Sequence, residues 1–254
     1  MDYVPVEDAI NMTGLRLVLT AGVPGPWGES AKAILDYKGL AYTPVYQEGA
    51  GENVALKSWT GQTSAPVLVS GDLAPVCHWL DLLLLSERLA PEKPLVPADP
   101  AEATDVLGLS ALLAAADGFA WNRRLQMFAP IMRMETPPEN MVRMMHKYGW
   151  SDEALAAATP RLQAISAELD KRLAAQEAAR SPYLVGAQVT AADFYWANFA
   201  GMIKPLGPED NPMPDFMRST YESADAATLA CVTPRLEAHR DMMYERHIKL
   251  PLDF

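Results

Sequence analysis

Few side chains in this sequence could carry out chemistry, and two of the more reactive ones are adjacent. Cys77 and His78 lie where a strongly apolar helix is expected to begin. The free N–H groups at a helix start favour a thiolate, and a protonated histidine there would donate to a carboxylate. A small packed cysteine and a surface histidine are the competing interpretation. Cys231 is distant and no CxxC pair occurs, so neither a disulfide framework nor a metal site is predicted.

A second candidate is the segment Ser64-Ala65-Pro66, which runs directly into the apolar residues 67–69. Proline has no N–H to give to a sheet, so Pro66 is expected at the first position of a strand. Gly71-Asp72 predicts a turn, after which residues 73–76 return as a second strand. A cis Ala65-Pro66 bond would leave the backbone of Ala65 free to pair with an extended ligand, whereas a trans bond is the commoner state.

The sharpest local pattern is Thr190-Ala191-Ala192-Asp193. Thr190 is expected to cap the N–H of Asp193, whose carboxylate reaches back to the N–H of Thr190, as in a capping box. Val189 and Phe194 flank the box at the positions of a hydrophobic staple. The next residues are apolar on almost every side, which predicts a helix in the centre of a bundle. We therefore assign Thr190 and Asp193 to folding and not to chemistry.

The elements that must position these residues alternate between strand and helix in residues 1–90. The predicted strands are 15–20 and 40–46, the helices 26–38 and 77–89, with a short helix at 51–59 and a hairpin at 65–76. Pro26 suits the first position of a helix and Gly39 suits its end. The strand–helix–strand start should be right-handed, with its strands parallel. This order predicts a thioredoxin-like α/β domain, whose first loop and strand-leading proline face one cleft.

The rest of the chain is predicted to be helical. Residues 91–100 are rich in proline and predict a linker, and no strand pattern recurs in 101–254. Besides the helix after Thr190, three helices are expected: one over 101–134 bent at Pro130, one over 140–148, and one capped by Thr159 with Pro160 as its first residue. An apolar stripe on the third helix consists of Leu162, Ile165, Leu169 and Leu173. The second domain is therefore an all-α helical bundle in this interpretation.

Composition excludes several classes of function. The chain has 254 residues, half of them hydrophobic, and a formal net charge of −11. That charge argues against binding to nucleic acid or to an anionic membrane, because phosphate contacts need clustered Lys and Arg. The N-terminus lacks a basic start followed by an apolar run, and no apolar run reaches the roughly 20 residues of a spanning helix. We expect a cytoplasmic protein.

Three motifs in this order make the chain resemble the cytosolic glutathione S-transferases along nearly its whole length. The first is Ser64-Ala65-Pro66-Val67-Leu68 followed by Gly71-Asp72, like the family's cis-proline segment. The second is Tyr183-Leu184-Val185-Gly186 leading into Thr190-Ala191-Ala192-Asp193-Phe194, like its buried capping box. The third is Lys38-Gly39-Leu40-Ala41-Tyr42, like the end of its first helix. The resemblance favours a cis Ala65-Pro66 bond.

The resemblance implies that glutathione is a substrate and that the chain forms a homodimer. The tripeptide's cysteinyl backbone would pair with Ala65, and its sulfur would lie at the N-terminus of the first helix, where N–H groups favour a thiolate. The positions that the resemblance assigns to glutathione binding are Gly25, Pro26, Trp27, Ser64, Ala65, Pro66, Cys77 and His78.

The sequence departs from that family at the chemical positions. The family's usual serine or cysteine falls on Gly25, which has no side-chain donor. The nearest hydroxyls are those of Thr20 and Ser30, which are the catalytic candidates; a strand end and a helix face are the competing interpretations. The family's Glu-Ser pair, which holds the γ-glutamyl end, falls on Cys77-His78. The family's electrophile pocket falls on a methionine-rich region that includes Trp121, Met127, Phe128 and Met132.

Two functions remain open at this point. The first is conjugation of the glutathione thiolate to a small hydrophobic electrophile, in a pocket of adaptable Met side chains. The second is a non-catalytic protein of the same fold that binds a ligand or a partner after losing the glutathione site. The departures at Gly25 and Cys77-His78 favour the second, and the cleft motifs favour the first. A methionine stripe is also typical of a core, and a thiol oxidoreductase using Cys77 would lack a cysteine at the first helix.

Overall fold

The computed structural model describes residues 1–254. Its elements in chain order are α1 (Val6–Ala9), β1 (Leu15–Thr20), α2 (Pro26–Lys38), β2 (Tyr42–Gln47), α3 (Val54–Thr60), β3 (Val67–Ser70), α4 (Trp79–Leu89), α5 (Pro100–Ala114), α6 (Phe119–Met132), α7 (Glu139–Lys147), α8 (Asp152–Ala178), α9 (Ala191–Ala200), α10 (Asp215–Tyr221), α11 (Ala226–Leu229) and α12 (Pro234–Arg246). The predicted architecture is confirmed: a small α/β part is followed by helices alone.

The sheet has three strands in the order β2-β1-β3. The central strand β1 is parallel to β2 and antiparallel to β3, so that Leu17 lies between Pro44 and Leu68. The predicted return strand at 73–76 is wrong except for one bridge, in which Leu68 and Val76 exchange backbone bonds of 2.8 and 3.0 Å. Between them the chain forms a turn, in which the N–H of Leu73 donates to the carbonyl of Ser70 at 3.1 Å.

Helix α2 carries the first candidate site at its N-terminus. Pro26 is its first residue and Gly39 ends it at a φ of 71°, in the left-handed region that glycine adopts without strain. Ala31 and Leu35 face the sheet, whereas Ala33 and Ile34 join the main core. The helix is therefore held on both sides, which fixes the direction of its first N–H groups.

The predicted helical stretch over 101–134 is confirmed in its extent, but the predicted bend at Pro130 is wrong, because the chain breaks between α5 and α6 instead. Asp117 has a φ of 57°, and a Cβ on Gly118 would lie 2.8 Å from the carbonyl oxygen of Ala115. This local break separates the helices, while Pro130 lies in the last turn of α6. Residues 100–132 together are long and apolar enough to cross a membrane by composition, which the sequence analysis did not anticipate. In the structure they form two helices whose apolar side chains enter the core.

The predicted start of the third helix is also wrong. Helix α8 begins after Ser151, whose hydroxyl accepts the N–H of Ala154 at 3.0 Å, and it continues through Pro160 to Ala178. Thr159 caps nothing, since its hydroxyl accepts a bond from Gln126 at 2.8 Å. Burial of the stripe Leu162, Ile165, Leu169 and Leu173 outweighs the one backbone bond that the proline removes.

The predicted capping box at Thr190 and Asp193 is confirmed, and the helix after it is the centre of the molecule. All ten residues of α9 are buried. Eight of them belong to a core cluster of 38 buried residues that also includes Ile34 of α2 and Trp79 of α4. Because one core joins both parts of the chain, the two walls of the cleft between them are held in a fixed relative position.

Candidate functional site

A cavity of about 990 Å³ lies between the α/β part and the helices α6, α7 and α10. Its α/β wall comprises the end of β1, the start of α2, the loop around Gly49 and the segment before β3. The opposite wall carries apolar side chains of the helical part. The cavity thus brings together the two regions that the sequence analysis assigned to a single cleft.

The N-terminus of α2 opens into this cavity. Gly25, Trp27 and Gly28 line it, and no side chain caps the helix. The N–H groups of Trp27 and Gly28 have no acceptor within the protein, because the first backbone bond of the helix runs from Glu29 to Gly25. Two N–H donors and the positive end of the helix are therefore available to an anion.

Trp27 is fixed in place beside these donors. Its indole N–H donates to the carbonyl of Ala114 at 2.9 Å, and its ring packs edge-on against Phe199 at 5.2 Å. One face of the indole remains on the cavity, near Tyr148 of the helical part. The side chain thus lines the cleft and joins both parts of the chain.

The segment before β3 forms the neighbouring part of the wall. Ser64 and Ala65 line the cavity, and the Ala65-Pro66 peptide bond is cis. Neither the N–H nor the carbonyl of Ala65 has a hydrogen-bond partner within the protein. Across the mouth, the ammonium of Lys147 donates to the hydroxyl of Ser64 at 2.7 Å. An extended backbone could replace the missing partners of Ala65.

Of the two hydroxyls predicted as catalytic, only that of Thr20 reaches the cavity. It donates to Oε1 of Gln47 at 2.6 Å, and Nε2 of Gln47 donates to the carbonyl of Thr63 at 3.0 Å, which fixes the amide orientation. The proton of Thr20 is therefore committed to Gln47. Ser30 is fully buried, its hydroxyl has no partner, and it does not line the cavity.

Several other predicted residues lie outside the cavity. Cys77 and His78 are exposed ahead of α4, and His78 makes no capping bond. Pro26 and Pro66 flank lining residues without lining the cavity themselves. The structure therefore does not bring Cys77-His78 together with the α2 N-terminus, and their assignment to glutathione remains a prediction.

The apolar wall takes in half of the predicted electrophile pocket. Met127 and Phe128 line the cavity, whereas Trp121 and Met132 do not. Trp121 packs edge-on against Tyr148 at 4.7 Å, and so supports a lining residue from behind. Met141 and Met144, which belong to the same methionine-rich region, also line the cavity. Further apolar lining comes from Ile131, Phe216 and Met217, which the site prediction left out. The spacing of the methionines along α7 indicated that this helix could line the pocket, whereas no residue type in α10 pointed to a site.

Three acid–base groups on the cavity wall are shifted by burial, which raises the pKa of Tyr3 to about 12. Burial raises the pKa of Glu29, and the ammonium of Lys32, 3.0 Å from its Oε2, opposes that rise. Burial also raises the pKa of Tyr221, whose hydroxyl donates to the carbonyl of Pro24 at 3.3 Å. Glu29 and Tyr221 are held by partners within the protein, whereas the buried hydroxyl of Tyr3 has none. The backbone donors of α2 remain the candidates because they lie at the positive end of a helix.

No family model and no curated protein matches the sequence. Solved structures do match. A glutathione S-transferase from Methylobacterium radiotolerans in complex with glutathione sulfonate is 18% identical over 91% of each chain, with a TM-score of 0.64. A glutathione transferase family member from Pseudomonas fluorescens with two glutathione bound is 13% identical over 95% of this chain and 94% of its own, with a TM-score of 0.63. The β-etherase LigF from a Sphingobium strain is 18% identical over 91% and 100%, with a TM-score of 0.59. The resemblance predicted from the three motifs is thereby confirmed for the fold.

Proposed function

Because the chain has the glutathione S-transferase fold, we propose that it conjugates the glutathione thiolate to a small hydrophobic electrophile. One observation carries this proposal. A single cavity joins the unpaired N–H groups of Trp27 and Gly28 and the unpaired backbone of Ala65 to an apolar wall around Met127 and Phe128. Two of the similar structures hold glutathione or its sulfonate, which supports the same ligand here.

The proposed chemistry needs no side-chain hydroxyl. The cysteinyl N–H and carbonyl of glutathione pair with Ala65, and the sulfur lies against the start of α2. The thiol proton leaves to water, and the N–H groups of Trp27 and Gly28 stabilise the resulting thiolate. The thiolate attacks the electrophilic carbon, so a sulfur–carbon bond forms while the leaving group departs with its electron pair.

A non-catalytic binding protein is the second candidate. It is favoured by the exposed position of Cys77 and His78, which leaves the γ-glutamyl end without the partners that the resemblance implies. In that case the cavity would bind an apolar molecule directly. Retention of the protein on immobilised glutathione separates the two candidates, since only the first requires an intact tripeptide site.

The decisive experiment blocks the start of α2 without straining the chain. A Cβ at Gly25 meets no atom within 4 Å, and its φ of −68° suits any residue, so Gly25→Trp should fold and occupy the space of the sulfur. Gly207, also open and exposed, supplies the control Gly207→Trp. Calorimetry should show glutathione binding by the wild type and the control and none by Gly25→Trp. Equal binding by all three, or no binding by the wild type, would remove the proposed site.

A homodimer and a cytoplasmic location are part of the same proposal, both from the resemblance. Sedimentation velocity of the full chain should give a species of twice the chain mass. A monomer at all concentrations would contradict the dimer without touching the glutathione site, because every lining residue named above belongs to one chain.

A further inference from the structure

Arg124 lines the cavity among the apolar side chains of α6. It directly follows Arg123 on α6. Although it lines the cavity, it makes no hydrogen bond and no ion pair. Its Nε is buried without a partner. Buried N–H groups are nearly always paired, so this orphaned donor points to a ligand that completes it.

The neighbouring arginine shows the contrast. Arg123 is 2% exposed and donates to the carbonyls of Met202 and Tyr221 at 2.9 and 3.2 Å. It holds α6 to the core and does not line the cavity. Successive helical residues point about 100° apart, so the pair Arg123-Arg124 divides into one structural and one cavity-facing cation.

Aromatic rings fix Arg124 in place. Its guanidinium carbon lies 5.9 Å from the ring centre of Trp27 and 5.5 Å from that of Phe128. Rings of this kind stabilise a guanidinium over their faces and leave its edges for planar anions. A carboxylate or sulfonate on a flat apolar molecule matches both the edge donors and the surrounding rings.

The charges around the cavity favour the same ligand. Lys57, Arg124, Arg143 and Lys147 line it, and none forms an ion pair with a carboxylate. Only Glu29 and Glu52 oppose them, and Glu29 is already paired with Lys32. The cavity is therefore a cationic region in a protein with a net charge of −11, and it attracts small anions.

We propose that the apolar half of the cavity takes an aromatic anion, a carboxylate or a sulfonate, with Arg124 as the residue that sets this specificity. The proposal names the substrate class of the proposed conjugation and rests on that function for turnover. Binding of the anion itself does not require glutathione, so the two can be tested apart.

The test compares two fluorescent probes that differ by one charge, anilinonaphthalenesulfonate and neutral phenylnaphthylamine. Both are titrated into the wild type, Arg124→Gln and the control Arg133→Gln, which changes an exposed arginine at the end of the same helix. Arg124→Gln should weaken the sulfonate about tenfold and leave the neutral probe within about twofold. Arg133→Gln should change neither.

Three results would overturn the proposal. One is equal affinity of the wild type for both probes, and another is a loss of sulfonate affinity in Arg133→Gln as large as in Arg124→Gln. The third is a fall in glutathione affinity in Arg124→Gln that equals the fall for the sulfonate, because that would assign Arg124 to the tripeptide. Absence of glutathione binding in the wild type would refute the conjugation function alone, since the probe comparison stands without it.

Discussion

Asp193→Asn should lower the free energy of unfolding more than the same substitution at any exposed aspartate. Oδ1 of Asp193 accepts the N–H of Leu184 at 2.8 Å and lies 2.9 Å from Nε2 of His239. Oδ2 accepts the N–H and the hydroxyl of Thr190, both at 2.8 Å. The carboxylate is fully buried, and Asn has nearly its volume, so no cavity enters the comparison.

The magnitude follows from what the amide must face. The hydroxyl of Thr190 can rotate and the ring of His239 can change tautomer, but the N–H groups of Thr190 and Leu184 cannot reverse. Whichever side takes the NH₂ group leaves one of them unpaired, at about 1–3 kcal/mol. Loss of the charge weakens the remaining bonds by about 1–2 kcal/mol more. The sum is about 2–5 kcal/mol, which at about 3 °C per kcal/mol is roughly 6–15 °C in Tm for a chain of this length.

Thermal unfolding followed by circular dichroism measures this directly. The control is Asp72→Asn, at an exposed turn position without contacts, which should shift Tm by about 1 °C or less. If Asp193→Asn melts within about 2 °C of the wild type, the four hydrogen bonds of the carboxylate contribute much less to stability than their burial predicts, and the reasoning fails.

Three further predictions concern the site and its surroundings. Thr20→Val should leave glutathione affinity and the pKa of the bound thiol unchanged, because the proton of Thr20 is given to Gln47; a tenfold loss by calorimetry would contradict this. Gly25→Ser should raise the conjugation rate about tenfold in a panel of electrophiles, because the open Cβ position can carry a hydroxyl that donates to the thiolate. An unchanged rate would contradict this and would mean that the backbone donors alone stabilise the thiolate. Burial lowers the pKa of His247 below 6.5, so the unfolded chain binds more protons just below that pH and stability falls as pH falls through this window. The Tm of His247→Gln should therefore fall less than that of the wild type between about pH 7 and pH 5, and parallel curves would refute the assignment.

The α/β part could be predicted closely because each element has a local cause. Strand β1 and helix α2 begin and end where the β-rich run, Pro26 and Gly39 place them. The box at Thr190 and Asp193 was equally clear, since both partners lie within one turn. Where the signal is a short stretch with its own chemistry, the sequence is sufficient.

The errors arose where tertiary packing decided the outcome. Pro160 has the pattern of a helix start, yet Ser151 caps α8 and the buried stripe carries the helix through the proline. The helix break at Asp117-Gly118 has only a two-residue signal inside a long apolar pattern. Lys147 reaches Ser64 across 83 positions of sequence, and no periodicity records such a contact.

The chemistry of the site was partly hidden for a different reason. A thiolate bound by the N–H groups of Trp27 and Gly28 needs no particular side chain, and the sequence therefore gives no sign of it. Glycine at position 25 suggests that a donor is missing only if the donor is assumed to be a side chain. The role of Arg124 was hidden as well. In the sequence it is one of two adjacent arginines, but in the fold Arg123 bonds to the core whereas Arg124 packs against Trp27. If the backbone supplies the thiolate site, selection among electrophiles must come from the opposite wall. An unpaired guanidinium between two aromatic rings is the feature of that wall with the strongest chemical preference, and that preference is for an anion.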